Sequence, residues 1–216
     1  MAGPTAGGAT PEKPHTETMI ETLVLATANS HKVTELQALI AQKYGESTTV
    51  LERPAGLAET VEDGATLEQN ALKKAVEVAG FCGQVALADD TGLFVAALDG
   101  RPGVRSARFA GPGSNDGDNV AKLLRELDGQ PDRSAYFETV MALWWPDGSR
   151  YVASGRIEGQ IVESPRGSAG FGYDPVFEPF AGDGRTFGEM SESEKNSFSH
   201  RKLALAAVLD HSKWPS

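Results

Sequence analysis

Leu23-Val24-Leu25-Ala26-Thr27-Ala28-Asn29-Ser30-His31-Lys32 is the stretch that decides the fold class. Leu23 to Thr27 is a short apolar run that reads as a buried strand, and Lys32 to Gln42 follows with Val33, Leu36, Leu39 and Ile40 at helical spacing. A strand that passes straight into a helix is the building unit of an α/β protein.

The same pattern recurs downstream. Thr66 and Gln69 form a capping box for a helix expected from Leu67 to Ala79, with Ala71, Leu72, Ala75, Val78 and Ala79 as its buried stripe and Gly80 as its end. Gln84 to Ala88 reads as a second buried strand that places Asp89 and Asp90 at its end, before Leu93 to Leu98 resumes as apolar structure. Asn119 to Leu127 is amphipathic. Ser134 to Trp145 and Arg150 to Ser154 flank the turn Pro146-Asp147-Gly148-Ser149 as a hairpin, Gly159 to Glu163 adds a strand, and a last helix starts at Ser199 and continues through Leu203, Leu205, Ala206 and Leu209. Strand-helix units followed by a hairpin predict a mixed sheet flanked by helices. Residues 1–20, rich in Pro and Gly, read as a disordered tail or an appended remnant outside a single domain of residues 21–216.

Charge sits where helix stability alone would not put it. His31 and Lys32, Lys195, and His200 and Arg201 fall at expected helix starts, where the unsatisfied N–H groups are already electropositive and a stabilising sequence favours Asp or Glu. A polyphosphate resolves the conflict, because it accepts from the free N–H groups and pairs with the cations. Thr27 and Asn29 add side-chain hydrogen bonds there. The segment lacks both the phosphate-loop and the dinucleotide-fingerprint glycine patterns, so those families are not supported.

Asp89-Asp90 has two readings, a divalent-cation and proton-accepting pair or ordinary turn chemistry, and Glu62 beside Asp63-Gly64 is either a further oxygen ligand or a surface-loop acid. Lys74, one turn after Asn70, edges the buried stripe. Phe171-Gly172-Tyr173-Asp174-Pro175 combines an aromatic face with a backbone that a ligand can approach, or else is a turn with its rings tucked inward. Arg201 carries planar donors suited to a purine carbonyl.

The whole chain narrows the setting. Its 216 residues carry 20 Lys and Arg against 30 Asp and Glu, a net charge of −10, which opposes attachment to nucleic acid or anionic membrane. Any phosphate must be held locally. The single cysteine, Cys82, cannot form an internal disulfide, which fits a reducing cytoplasm, and no His/Cys set has zinc spacing.

In this order along the chain, Leu25 to Lys32, Asn70-Ala71 with Lys74-Ala75, Ala88-Asp89-Asp90-Thr91-Gly92-Leu93, Pro102 to Arg108, Gly170 to Phe177 and Ser199-His200-Arg201 resemble the inosine/xanthosine triphosphate pyrophosphatase family. The resemblance implies a homodimer with an elongated mixed sheet and two lobes around a central cleft. It implies cleavage of non-standard purine nucleoside triphosphates (ITP, dITP, XTP) to the monophosphate and pyrophosphate, with Mg2+ as cofactor. Asp90 then matches the catalytic proton acceptor and a magnesium ligand, and Glu62 a second metal ligand. Thr27, Ala28, Asn29, Ser30, His31, Lys32, Lys74, Thr91 and Lys195 match triphosphate-holding positions; Phe171, Gly172, Tyr173, Asp174, His200 and Arg201 match those around base and sugar. Ala28 stands for the usual glycine, Thr91 for a common serine and Gln69 for an expected glutamate. The alternatives are a pyrophosphatase of the same fold acting on pyrimidine or modified nucleotides, and a sensor that binds without cleaving.

Overall fold

The strand read from Leu23 is β1, Thr22–Leu25, in a computed structural model that describes residues 20–45 and 47–210. The expected tail lies outside the described residues up to position 19. Asn29 accepts from the Lys32 backbone N–H as the N-cap of α1, Ser30–Tyr44, whose Val33, Leu36, Leu39 and Ile40 are buried as their spacing predicts. β2 is Thr49–Leu51, and α2 runs Leu67–Cys82. Gly80 does not end α2; the chain turns at Gly83, whose left-handed φ of 65° suits the residue without a Cβ. Thr66 caps α2, while the Gln69 carboxamide accepts from Ala65 N–H rather than closing a capping box on Thr66.

β3, Val85–Val95, is one continuous strand, so Asp89 and Asp90 lie in its middle and not at a strand end. Its ladder with β5, Ser134–Trp144, pairs Asp89 with Met141, Asp90 with Val140 and Thr91 with Thr139. That pairing supplies the backbone bonds that Asp-Asp-Thr-Gly otherwise seeks in a turn. β4 is Pro102–Gly103 and α3 is Asp116–Glu126, capped by Asn115 with a full capping box to Asp118. β6 runs unbroken over Arg150–Ile161, absorbing the separate strand expected from Gly159, and β7 is Phe177–Pro179. α4 is Glu192–Asn196 and α5 is His200–Val208, capped by Ser199. On α5 Ala204, Leu205 and Val208 are buried, whereas Leu203, expected in the stripe, is 42% exposed.

The seven-stranded sheet has the order β2-β1-β3-β5-β6-β7, with β4 on the far part of β3. β1 is parallel to β2 and β3, and the remaining pairs are antiparallel, which makes the sheet mixed as expected. Alternation along the strands divides the first lobe's core in two. Leu23, Leu25, Leu87 and Met141 face α1 and α5, while Val24, Ala26, Ala88 and Val140 face α2. A third core, around Leu93, Val95, Leu123, Phe137, Ile157 and Phe177, belongs to the second lobe with α3. Each fully buried Leu, Ile or Phe contributes about 1.5–3 kcal/mol, so three separate cores each have substance.

The long strands pass through both lobes. The change from one core to the next falls between Ala88 and Leu93 on β3 and between Val140 and Phe137 on β5. Asp89, Asp90, Thr91 and Thr139 occupy that gap. A break in the apolar pattern on a strand buried on both faces therefore marks the cleft.

Candidate active site

The cleft between the lobes has a cavity of about 250 Å³ lined by the loop after β1, the β2–α2 loop, β3, the Phe171 loop, α4 and the start of α5. Of the expected site residues, Thr27, Ala28, Asn29, Lys32, Glu62, Lys74, Asp90, Thr91, Phe171, Gly172, Tyr173, Asp174, Lys195, His200 and Arg201 all line it. Ser30 opens α1 beside them, and His31 stacks on Phe171 with centroids 5.5 Å apart.

Asp90 projects from β3 toward α2. Its Oδ2 accepts from Asn70 Nδ2 at 3.0 Å and its Oδ1 lies 3.3 Å from Lys74 Nζ, which also reaches Glu62 Oε1 at 2.8 Å. Burial pushes the Asp90 carboxyl above its ordinary value, and the Glu62 carboxylate adds to this against the pull of Lys74. Glu62 is itself lowered: burial opposes this, and the Lys74 ammonium outweighs it. An acid of raised proton affinity beside a fixed cation is equipped to accept a proton.

Asp89 leaves the opposite face of β3 and takes no part in lining the cleft. It pairs with Lys32 Nζ at 2.7 Å and lies 3.7 Å from Arg201 Nε. Burial raises its carboxyl, yet Lys32 and Arg201 together hold it well below the usual carboxylate range. Of its two sequence readings, metal ligand and turn former, neither describes it; it is a counterion for two cations of the cleft wall. Gln69 is equally outside the cleft, engaged with Ala65.

Two premises about helix starts need correction. Lys195 sits in the last turn of the short α4, where a cation favours the dipole, and pairs with buried Asp174 at 2.6 Å. His200 does sit at the start of α5, but burial and the neighbouring Arg201 push its pKa well below 6.5, so it is neutral. Its Nδ1 lies 2.7 Å from Thr139 Oγ1, which is 2.8 Å from Thr91 Oγ1. His200 thus fixes the floor and opposes no dipole. Lys32 and Arg201 keep the conflict that suggested an anion site.

Arg201 is 1% exposed. Its Nη1 is bonded to Glu35 and its Nη2 makes a 3.4 Å contact with Thr91 Oγ1, while its Nε, 3.7 Å from Asp89 Oδ2, has no hydrogen-bond partner. Phe171 has Lys195 Nζ 5.0 Å and Arg201 Cζ 5.5 Å from its ring centre, and its N–H donates to Asp174 Oδ2 at 2.9 Å. Gly172 N–H donates to Asp116 Oδ2 at 2.7 Å, and the buried Tyr173 hydroxyl donates to Ser106 O at 2.8 Å. Gly170, with φ of 73°, lies against the Asp174 carboxylate, a position that no side chain fits. Asp174 therefore organises its own loop while holding Lys195. Residues to which the sequence reading gave no site role are Glu35, Arg53, Thr60, Arg108, Asp116 and Thr139; Arg108 closes the Pro102 to Arg108 motif, Thr139 has a signal as a polar residue within the apolar run of β5, and the others stand in no motif.

Fold and cleft define a two-lobed α/β protein whose junction gathers lysines, an acid of raised pKa and a half-buried aromatic ring. Residues 23–211 match the Ham1 family model, and the chain belongs to the Ham1 family. It is 47% identical over 195 residues to a Geobacter sulfurreducens protein named dITP/XTP pyrophosphatase, covering 89% of this chain and 96% of that one. A Desulfotalea psychrophila protein of the same name is 45% identical, with 88% and 84% covered. A solved HAM1 protein from Coxiella burnetii superposes with a TM-score of 0.78 at 38% identity, covering 86% of this chain and 95% of that chain. The family resemblance carried by the sequence motifs stands.

Proposed function

We propose that this protein hydrolyses non-standard purine nucleoside triphosphates, ITP, dITP and XTP, to the nucleoside monophosphate and pyrophosphate. The observation that carries this reading is the Asp90 carboxylate, raised in proton affinity and set beside Lys74 in a cleft that ends at Phe171. Membership of a family whose relatives are named for this reaction supports it.

The α1 N-terminus, with Thr27 to Ser30, and Lys32, Lys74 and Lys195 hold the phosphate chain. Each lysine is already paired with a carboxylate, which offsets the positive charge of the cleft. Asp90 takes a proton from a water as its oxygen bonds to the α-phosphorus, and the bond from that phosphorus to the bridging oxygen breaks to release pyrophosphate. No covalent enzyme intermediate is required.

Lys74 Nζ lies within 3.3 Å of carboxylate oxygens of both Glu62 and Asp90, so the two acids already share one cation. Two carboxylates suit Mg2+, which takes its remaining oxygens from phosphates and water, and no group of three acidic, His or Cys ligands converges among the described residues. Such an ion would supply neutralisation of the charge that develops on the phosphates. Glu62 and Asp90 would hold it, and Lys74 beside them would pair with the phosphates.

Phe171 offers its face to the base. Hypoxanthine and xanthine carry a carbonyl at position 6 where adenine carries an amino group, so donors at the Arg201 end of the cleft leave donor facing donor with ATP. The same reading includes a cytoplasmic homodimer with no nucleic-acid or membrane partner. Phosphorus NMR of an ITP digest tests the reaction: IMP with pyrophosphate is expected, and IDP with phosphate would overturn it.

A further inference from the structure

The segment 52–66 between β2 and α2 brings Glu62 to the rim of the cleft. Most of its tethers run back to α2 in its own lobe. Thr60 Oγ1 donates to Glu77 at 2.5 Å, Lys73 Nζ donates to Val61 O at 2.8 Å, and Asn70 Oδ1 accepts from Gly64 N–H at 2.8 Å. Arg108 crosses the cleft. From the turn Ser106–Arg108 after β4, its Nη2 donates to Glu62 O at 2.5 Å and its Nη1 lies 3.6 Å from Glu62 Oε2. One guanidinium thus engages both the backbone and the carboxylate of Glu62.

The base from which Arg108 reaches is braced in the second lobe. Ser106 Oγ accepts from Leu93 N–H at 2.9 Å and donates to Gly103 O at 2.6 Å. Tyr173 Oη donates to Ser106 O at 2.8 Å, and Asn119 Nδ2 donates to Ala107 O at 3.1 Å. The cleft width on this side is therefore set by the length of one side chain between a braced turn and a loop. Without it, Glu62 keeps Lys74 as its side-chain partner and follows the loop.

We propose that Arg108 is a positioning residue that spans the cleft to hold Glu62 facing Asp90, so that the two carboxylates serve one cation. This rests on the reading of Glu62 and Asp90 as the metal ligands. Arg108 touches no reacting atom. Lysine replaces it only in part, because a point ammonium does not reproduce the planar fork that engages two acceptors.

The test is Mn2+ binding, followed by electron paramagnetic resonance, to the full chain with inorganic pyrophosphate, for wild type, R108A, R108K, E62Q and R108A/E62Q. The Mg2+ midpoint for ITP hydrolysis is measured alongside. R108A is expected to weaken Mn2+ about tenfold, the size typical of lost support for a metal ligand, and R108K to recover part of this. The Mg2+ midpoint rises in step with kcat at saturation little changed, and R108A adds nothing in the E62Q background. Wild-type Mn2+ affinity in R108A and R108K, or the same loss with and without Glu62, overturns the proposal. An E62Q protein with unaltered Mn2+ binding overturns the ligand reading and this inference with it.

Discussion

Asp89 and Asp90 are consecutive on β3, yet their carboxylates leave opposite faces of the sheet and are shifted in opposite directions. Asp89 faces α1 and α5, where Lys32 and Arg201 hold it ionised. Asp90 faces α2, where burial and Glu62 favour its protonated form. A lowered carboxyl stabilises the fold above its unfolded pKa, and this is lost as pH falls through the folded value; a raised carboxyl costs stability once it ionises. Asp89→Asn is therefore expected to lose about 3–5 kcal/mol in urea unfolding, because the half-buried Lys32 and the buried Arg201 lose a shared counterion. Asp90→Asn is expected to keep or gain stability while turnover falls about 10²–10⁴-fold. An Asp90→Asn protein with wild-type turnover would sink the assignment of the base.

The pH profile carries the same sign. Asp90 must be ionised to accept a proton, so kcat/KM is expected to fall on the acid side at a pH above 3.8, the ordinary aspartate value. Removing Glu62 relieves part of the upward push, so Glu62→Gln moves that limb to lower pH. A series of kcat/KM against pH at metal far below saturation, where the metal-free carboxyl is the one that titrates, reads it.

His200 makes the folded protein acid-sensitive. Its pKa is depressed below 6.5, so below that pH the unfolded chain binds a proton that the folded chain refuses. Stability from this residue is complete above 6.5 and declines by up to about 1.4 kcal/mol per pH unit as pH falls, until the folded value is reached. Urea midpoints at a series of pH values check this, and in His200→Gln the component is expected to vanish.

Gly155 lets α5 lie directly on β6. A Cβ there meets the His200 carbonyl oxygen and the Ala204 amide, and comes 2.7 Å from Leu203 Cβ. Gly155→Ala is expected to cost about 1–3 kcal/mol and to displace the start of α5, which carries His200 and Arg201. Thermal unfolding with KM for ITP shows both effects; a neutral change in each contradicts the packing argument.

The sequence disclosed what is periodic. β1, α1 and the buried stripes of α1 and α2 follow from the spacing of Leu, Val and Ala, and the hairpin β5–β6 from its turn. β3 was legible only in pieces, because Asp-Asp-Thr-Gly has turn chemistry locally and becomes strand through pairing with β5, a partner more than forty residues on. Lys74 was visible at the edge of a helical stripe. The roles of Glu35, Arg108 and Thr139 were not, since each rests on one contact across the fold: with Arg201, with Glu62 and with His200. The Asp89 role was hidden for the same reason, as its partners come from α1 and α5.

The most direct test is pyrophosphate release in magnesium from ITP, XTP, dITP, GTP, ATP, UTP and dTTP in parallel, with the nucleotide product identified. Rapid conversion of ITP, XTP and dITP to monophosphates with ATP nearly untouched is the predicted result. Equal rates on ATP, a preference for UTP or dTTP, or binding without release from any of them would contradict the account.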